Sequence, residues 1–254
     1  MAVPFASTPP ALLRLDEVVL RHAVERPAQT ALVQAGRTLS YAELAEQVDR
    51  VCERLQMQGV GAGDRVACLS FNAWEMIVLL LALARLGGIL APLNYRLAVA
   101  EWDQLMSDCA PRLLVHDAGW CEQAQALAAR HALTVCALDA LCAPMGHSTD
   151  RDPGPRRPDA GAPSLPRGPE VSTRLLHGAA LDTRPVLLVY TSGTTGAPRA
   201  AVHSQANLLA NMQAARHAMN LTPADHVLTV LPLFHVGGLC IQTLPALGVG
   251  ARVT

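Results

Sequence analysis

The residues best equipped for chemistry lie together in one stretch, Val186-Leu187-Leu188-Val189-Tyr190-Thr191-Ser192-Gly193-Thr194-Thr195-Gly196-Ala197-Pro198-Arg199. An apolar run of the kind that forms a buried strand leads straight into hydroxyl groups, two glycines and a cation. Glycine lets the backbone turn tightly and brings N–H groups close to a ligand. Thr191, Ser192, Thr194 and Thr195 add hydroxyl donors, and Arg199 adds a permanent charge suited to phosphate oxygens. These residue types in this order suit a polyphosphate. The spacing is not that of the G-x-x-x-x-G-K-[ST] loop, because only two residues separate Gly193 from Gly196 and Pro198 stands where that motif continues as a helix. Any four of these residues make an ordinary Gly-Thr turn; all of them in sequence are a stronger signal.

The elements around this stretch must hold it, and their patterns alternate between helix and strand. Ser40-Tyr41-Ala42-Glu43 reads as a capping box, followed by Leu44, Val48, Val51 and Leu55 at helical spacing, with Gly59 as a stop. A strand is expected at 65–70, a helix at 73–86 and a strand at 89–91. Next come a helix at 101–108, a strand at 112–116, a helix at 120–131 and a strand at 133–138. Asp16 and Glu17 suit the positive end of an N-terminal helix. After the hydroxyl-rich loop, a helix is expected at 204–219, a strand at 227–231, a helix at 238–247 and a strand from Arg252. Short, continuously apolar strands alternating with helices predict an α/β fold, with doubly wound, mostly parallel sheets flanked by helices. The loop is then expected at the carboxyl end of the strand 186–190, where open α/β sheets bind ligands.

Residues 143–185 break the rhythm. Pro144, Pro153, Pro155, Pro158, Pro163, Pro166, Pro169 and Pro185 fall within them, so the segment reads as a mobile linker or loop. The chain is therefore divided into an N-terminal α/β part (1–142), this Pro/Gly/Arg-rich segment (143–185), and a part carrying the loop (186–254) that is incomplete at its C-terminus.

Composition narrows the function classes. Half of the 254 residues are hydrophobic (51%) and 16% are charged, enough apolar material for a core. A net charge of -1 and 4% aromatic residues argue against a nucleic-acid partner. The most apolar stretch, 74–93, is interrupted by Glu75 and Arg85, so no transmembrane segment is expected. Cys52, Cys68, Cys109, Cys121, Cys136, Cys142 and Cys240 include no C-x-x-C pair and read as free thiols of a cytoplasmic protein. Every basic residue other than histidine is arginine, so no lysine of these 254 residues takes part in any reaction. His22, His131, His147 and His177 are scattered and carry no assignment. Trp74, Trp102 and Trp120 read as packing residues.

Tyr190 to Arg199 resembles the signature loop of the adenylate-forming superfamily, which ends in Pro-Lys-Gly where this chain has Pro198-Arg199-Ala200. The likeness extends to Thr38-Leu39-Ser40-Tyr41-Ala42-Glu43-Leu44 and to Ala91-Pro92-Leu93-Asn94-Tyr95-Arg96-Leu97. It continues through Val202-His203-Ser204-Gln205-Ala206-Asn207-Leu208, which looks like the start of the following helix, and Leu231-Pro232-Leu233-Phe234-His235-Val236-Gly237-Gly238-Leu239. The Pro-Leu-Phe-His and Pro-Leu-Asn-Tyr-Arg-Leu segments look most like acyl- or aryl-CoA ligases. The resemblance implies ATP-dependent activation of a fatty or aromatic carboxylic acid through an acyl-adenylate, then transfer to coenzyme A. It implies Thr191 and Arg199 as catalytic residues, with Thr191 also a Mg²⁺ contact. It makes Thr191, Ser192, Gly193, Thr194, Thr195, Gly196 and Arg199 the residues that bind the ATP phosphates. A lone histidine at an apolar strand end is more often a packed residue, but the resemblance puts His235 beside the acyl substrate. Family members are considerably longer, so the chain corresponds to an N-terminal part that is not expected to complete the reaction alone. A nucleotide-binding remnant without catalysis and an adenylation domain of another adenylate-forming enzyme are the competing readings. Oligomeric state is not encoded in these motifs.

Overall fold

Residues 13–144, 181–191 and 199–254 are described by the computed structural model, and among them ten strands form two sheets. In chain order the strands are β1 (Thr30–Gln34), β2 (Arg37–Ser40), β3 (Arg65–Leu69), β4 (Ile89–Pro92), β5 (Leu113–His116), β6 (Thr134–Ala137), β7 (Pro185–Thr191), β8 (Arg199–Ser204), β9 (His226–Val227) and β10 (Arg252–Val253). The helices are α1 (Leu15–Leu20), α2 (His22–Glu25), α3 (Tyr41–Met57), α4 (Trp74–Leu86), α5 (Val99–Cys109), α6 (Cys121–His131), α7 (Leu138–Cys142), α8 (Gln205–Ala218) and α9 (Leu244–Val249). A π-helical segment, Gly237–Thr243, runs directly into α9.

The larger sheet has the order β6-β5-β3-β4-β7-β8 and is parallel except for β8. Both of its faces are covered, as parallel strands require. Along β3, Val66 and Cys68 point into the main core with α3 and α4, whereas Ala67 and Leu69 point into a second cluster with Trp102, Leu105 and Leu127 of α5 and α6. The smaller sheet, β2-β1-β10-β9, joins a hairpin to two short parallel strands. The expected α/β architecture with parallel, helix-flanked sheets is present. Both sheets take strands from either side of the segment 145–180, which lies outside the described residues: β7 pairs with β4, and β10 with β1.

Local chemistry explains the elements. The Ser40 hydroxyl accepts from the Glu43 N–H (3.2 Å), and the Glu43 carboxylate accepts from the Ser40 N–H (2.7 Å). Donation from the Ser40 N–H and then from the Ser40 hydroxyl holds the Glu43 carboxyl below the usual range, and the reciprocal bonds fix the start of α3, a cap of the kind that contributes about 1 kcal/mol. Leu44, Val48, Val51 and Leu55 are buried along its inner face. Helix α4 is buried almost all round and stops where Gly87 adopts φ 75°.

Two expectations are corrected and one strand is added. The expected helix at 204–219 is present as α8, with Ser204 capping it through a bond from the Asn207 N–H (3.1 Å), but the antiparallel edge strand β8 (Arg199–Ser204) that precedes it is not among the elements expected from sequence. The expected strand 227–231 shrinks to His226–Val227, because the chain beyond bends into the Pro232 turn. The expected helix 238–247 begins as the π-helical segment.

A buried polar network ties these layers together. Asp16 accepts from Arg85 Nε (3.0 Å) and Arg14 Nε (2.9 Å), and Arg85 also pairs with Asp49. Gln205, fully buried, accepts from the Leu15 N–H (2.8 Å) and donates to the Ala84 carbonyl (3.0 Å) and to Asp182 (3.3 Å). Burial pushes the Asp182 carboxyl up, but the Arg184 guanidinium outweighs it and holds the group below the usual carboxylate range. The network fixes the foot of β7 and the start of α8 against α1 and α4.

Candidate functional site

Parallel strands share one carboxyl edge, and the candidate residues are reached from it. β7 brings Thr191 there, at its exposed last position. β8 begins directly opposite with Arg199, and the Thr191 hydroxyl lies 3.4 Å from the Arg199 carbonyl oxygen. One step earlier, Tyr190 pairs with Ala200 and donates to the Asp108 carboxylate (2.6 Å), which pins the end of β7 to α5. Burial, then that bond, pushes the Tyr190 phenol up, so it stays a neutral donor. Ser192, Gly193, Thr194, Thr195 and Gly196 lie outside the described residues. Their two flanks, Thr191 and Arg199, are brought together as one cross-strand pair.

The same edge carries the turns after β3, β4 and β5. Phe71, Tyr95 and Trp120 come from those three turns and pack as one aromatic group, with Phe71–Tyr95 and Phe71–Trp120 centroids 4.8 and 5.4 Å apart. Phe234 meets Tyr95 edge-on at 5.1 Å, so the Pro232-Leu233-Phe234-His235 segment docks on this edge. Asn72 fastens it: its side-chain amide donates to the Leu231 carbonyl (3.0 Å), and its side-chain oxygen accepts from the Leu233 N–H (2.8 Å). Gln34 orders Asn72 in turn, donating to its carbonyl (2.5 Å) and accepting from the Trp74 N–H (2.9 Å). A Cβ at Gly238 would lie 2.4 Å from the Leu231 carbonyl oxygen and 2.5 Å from that of Pro232. Only glycine lets the π-helical segment pass so close beneath the turn.

His235 is exposed, and its Nδ1 accepts from the Gly237 N–H (3.1 Å). That bond fixes Nδ1 as an acceptor, which leaves Nε2 to carry the proton of the neutral ring. Its hydrogen bonding stays within its own turn and joins neither Thr191 nor Arg199. Asn72 and Gln34 were not among the residues picked out from the sequence. The described residues hold no group of three or more His, Cys, Asp or Glu able to form a metal site, and no helix long and apolar enough to cross a membrane. The exposed Thr191 hydroxyl is a hard oxygen donor of the kind Mg²⁺ accepts, but it is one ligand and not a site.

The model of the AMP-binding enzyme family matches residues 19–254. The chain is 40% identical over 242 residues to an indoleacetate–CoA ligase from Aromatoleum aromaticum, covering 95% of this chain and 44% of that protein. It is 34% identical over 234 residues to a feruloyl-CoA synthase from Amycolatopsis, covering 92% and 42%. ATP-bound MatB from Rhodopseudomonas palustris superimposes with a TM-score of 0.74 at 26% identity, covering 95% of this chain and 45% of that one. The chain thus spans less than half the length of these relatives.

Proposed function

The chain belongs to the AMP-binding enzyme family, and on that premise we propose that it is the phosphate-gripping part of an acid–CoA ligase. The observation that carries this reading is the hairpin mouth: the hydroxyl- and glycine-rich stretch 192–198 is bracketed by the Thr191–Arg199 pair at the carboxyl edge of a doubly covered sheet.

In the proposed reaction a carboxylate oxygen bonds to the α-phosphorus of ATP, and the bond from that phosphorus to the bridging oxygen breaks, releasing pyrophosphate. A thiolate sulfur of coenzyme A then bonds to the acyl carbon, and AMP leaves. The first step builds charge on the departing pyrophosphate, so fixed donors aimed at it lower the barrier. Thr191 and Arg199 are assigned that task together with Ser192, Gly193, Thr194, Thr195 and Gly196. A short hydrogen-bonded hairpin holds its flanking donors in place before substrate arrives, which is the property such stabilisation needs. Thr191 would supply one ligand to Mg²⁺, with phosphate oxygens and water supplying the rest. The bound ion would neutralise pyrophosphate charge. His235 is assigned to the acid side, with Nε2–H as its outward donor.

Among carboxylic acids we favour an aromatic one over a fatty one. Two relatives act on indoleacetate and ferulate, going by their names, and the carboxyl edge bears the aromatic group Phe71, Tyr95, Trp120 and Phe234. A cytoplasmic setting fits seven cysteines that are all free.

The test is calorimetric titration of the 254-residue chain with Mg-ATP, with and without indole-3-acetate, beside Thr191→Ala. The reading expects saturable ATP binding that weakens in the variant, and no acyl-CoA product from the chain alone. Absence of ATP binding in the folded chain would overturn the phosphate-loop assignment.

A further inference from the structure

The mouth of the β7–β8 hairpin stands clear of its neighbour in the sheet. Counting from the register Leu90↔Leu187, the last residue of β4, Pro92, is level with Val189. Tyr190↔Ala200 and Thr191↔Arg199 therefore lie beyond β4, as the last two pairs of a two-stranded ribbon. Such a ribbon is marginal in water by itself, so contacts from outside it decide where Thr191 and Arg199 stand. Alternation puts those two on one face of the ribbon and Tyr190 and Ala200 on the other. The second face is the anchored one: Tyr190 and Ala200 pack against the buried Ile89, Ala91, Cys109 and Leu188.

The polar part of that anchor is on α5. The Tyr190 phenol donates to Asp108 Oδ2 at 2.6 Å, and the Leu105 carbonyl lies farther off at 3.5 Å. Helix α5 is itself fixed. Trp102, Leu105 and Met106 are buried, and the Trp102 indole donates to the Asn94 carbonyl (2.9 Å). Arg65 of β3 donates to the carbonyls of Cys109 (2.7 Å) and Ala110 (2.6 Å) at the helix end. A carboxylate is the wrong charge for this place: the last turn of a helix carries partial negative charge and favours cations, and α5 has no basic residue there. Asp108 is also exposed, so packing does not account for it. What it gains at this position is a short, charge-assisted bond to the ribbon.

We propose that Asp108 is a positioning residue for the phosphate site: acting through Tyr190, it holds the hairpin mouth so that Thr191 and Arg199 are set in place on the opposite face. The assignment rests on the phosphate-binding reading of those two residues. Donors fixed in advance need no reorganisation when charge arrives between them. Loosening the ribbon therefore weakens polyphosphate binding without unfolding the chain.

The experiment compares the 254-residue chain with Asp108→Ala, Asp108→Asn, Tyr190→Phe and the double variant Asp108→Ala with Tyr190→Phe. Calorimetry measures Mg-ATP affinity, and amide exchange without nucleotide reports on 190–191 and 199–201. Asp108→Ala should bind ATP about threefold to tenfold more weakly and exchange faster at those positions, with its thermal transition unchanged. Asp108→Asn keeps an acceptor in the same place and should stay within about twofold of wild type. Tyr190→Phe should lose at least as much as Asp108→Ala, and the double variant no more than Tyr190→Phe alone. Asp103→Ala is the control on the same helix, where the carboxylate pairs with Arg130 and His131 of α6; it should change neither readout. Wild-type behaviour of Asp108→Ala, additive losses in the double variant, or an asparagine as damaging as alanine would each overturn the inference. If even the wild type binds no ATP, the proposed function falls, and exchange alone then decides whether Asp108 holds the ribbon.

Discussion

Thr191 and Arg199 face each other as the outermost cross-strand pair of β7 and β8, with a hydroxyl-to-carbonyl separation of 3.4 Å. The pairing fixes where the Arg199 side chain starts relative to the phosphate stretch. If the guanidinium supplies charge to phosphate oxygens, Arg199→Lys should keep ATP affinity within a few-fold. Arg199→Ala should lose about tenfold, on the order of 1.4 kcal/mol. Titration calorimetry at fixed salt measures both, and equal affinity in all three proteins would remove Arg199 from the phosphate site.

Asn72 is expected to matter more than its exposure suggests. Asn72→Ala removes a donor to Leu231 and an acceptor for Leu233, a loss of about 1–3 kcal/mol. Asn72→Asp keeps the acceptor and loses the donor, so it should fall between wild type and alanine. Amide exchange across 231–239 is the measurement: alanine should speed it while the strands of the larger sheet keep their protection.

Asp16→Ala should destabilise by about 3–5 kcal/mol, because it strips a buried guanidinium of its principal buried partner. Adding Arg85→Met should recover much of that loss by removing the stranded charge. Urea midpoints of the single and double variants decide this, and a double variant no better than the single would refute the account.

His22 predicts an acid-side weakness. Burial, and then the neighbouring Arg21 charge, lower its pKa from 6.5 to about 4. The unfolded chain therefore binds the proton more readily, so this residue's stability contribution is fully present above pH 6.5. It is lost as pH falls through about 4. Denaturation at pH 7.5 and pH 5 should show a drop in wild type that is smaller in His22→Gln. Equal drops would assign the pH dependence to other groups.

The sequence made the larger sheet legible because its strands are short, mostly apolar and separated by helices. Ser40–Glu43 is a local signal that folds as a local structure. β8 was not legible: Arg199-Ala200-Ala201-Val202-His203-Ser204 shows neither alternation nor β-branched density, and it is a strand because β7 offers it an edge. The clamp formed by Gln34 and Asn72 was invisible for another reason. Single polar residues have no period, and the atoms Asn72 binds lie 159 and 161 residues away. Thr191 and Arg199 stand out as candidates in the sequence because glycine and hydroxyl spacing carries its meaning within a few residues.

The register Leu32↔Val253 has a consequence for synthesis. β1 leaves the ribosome early and receives its parallel neighbour only when nearly all of the described chain has followed. In the meantime β4 also waits with an open edge for β7. Native pairing between such remote segments is slow, and the waiting edges are sites of mispairing. Translation speed and chaperone holding during that interval should therefore govern how much nascent chain reaches the native state, independently of how stable the finished fold is.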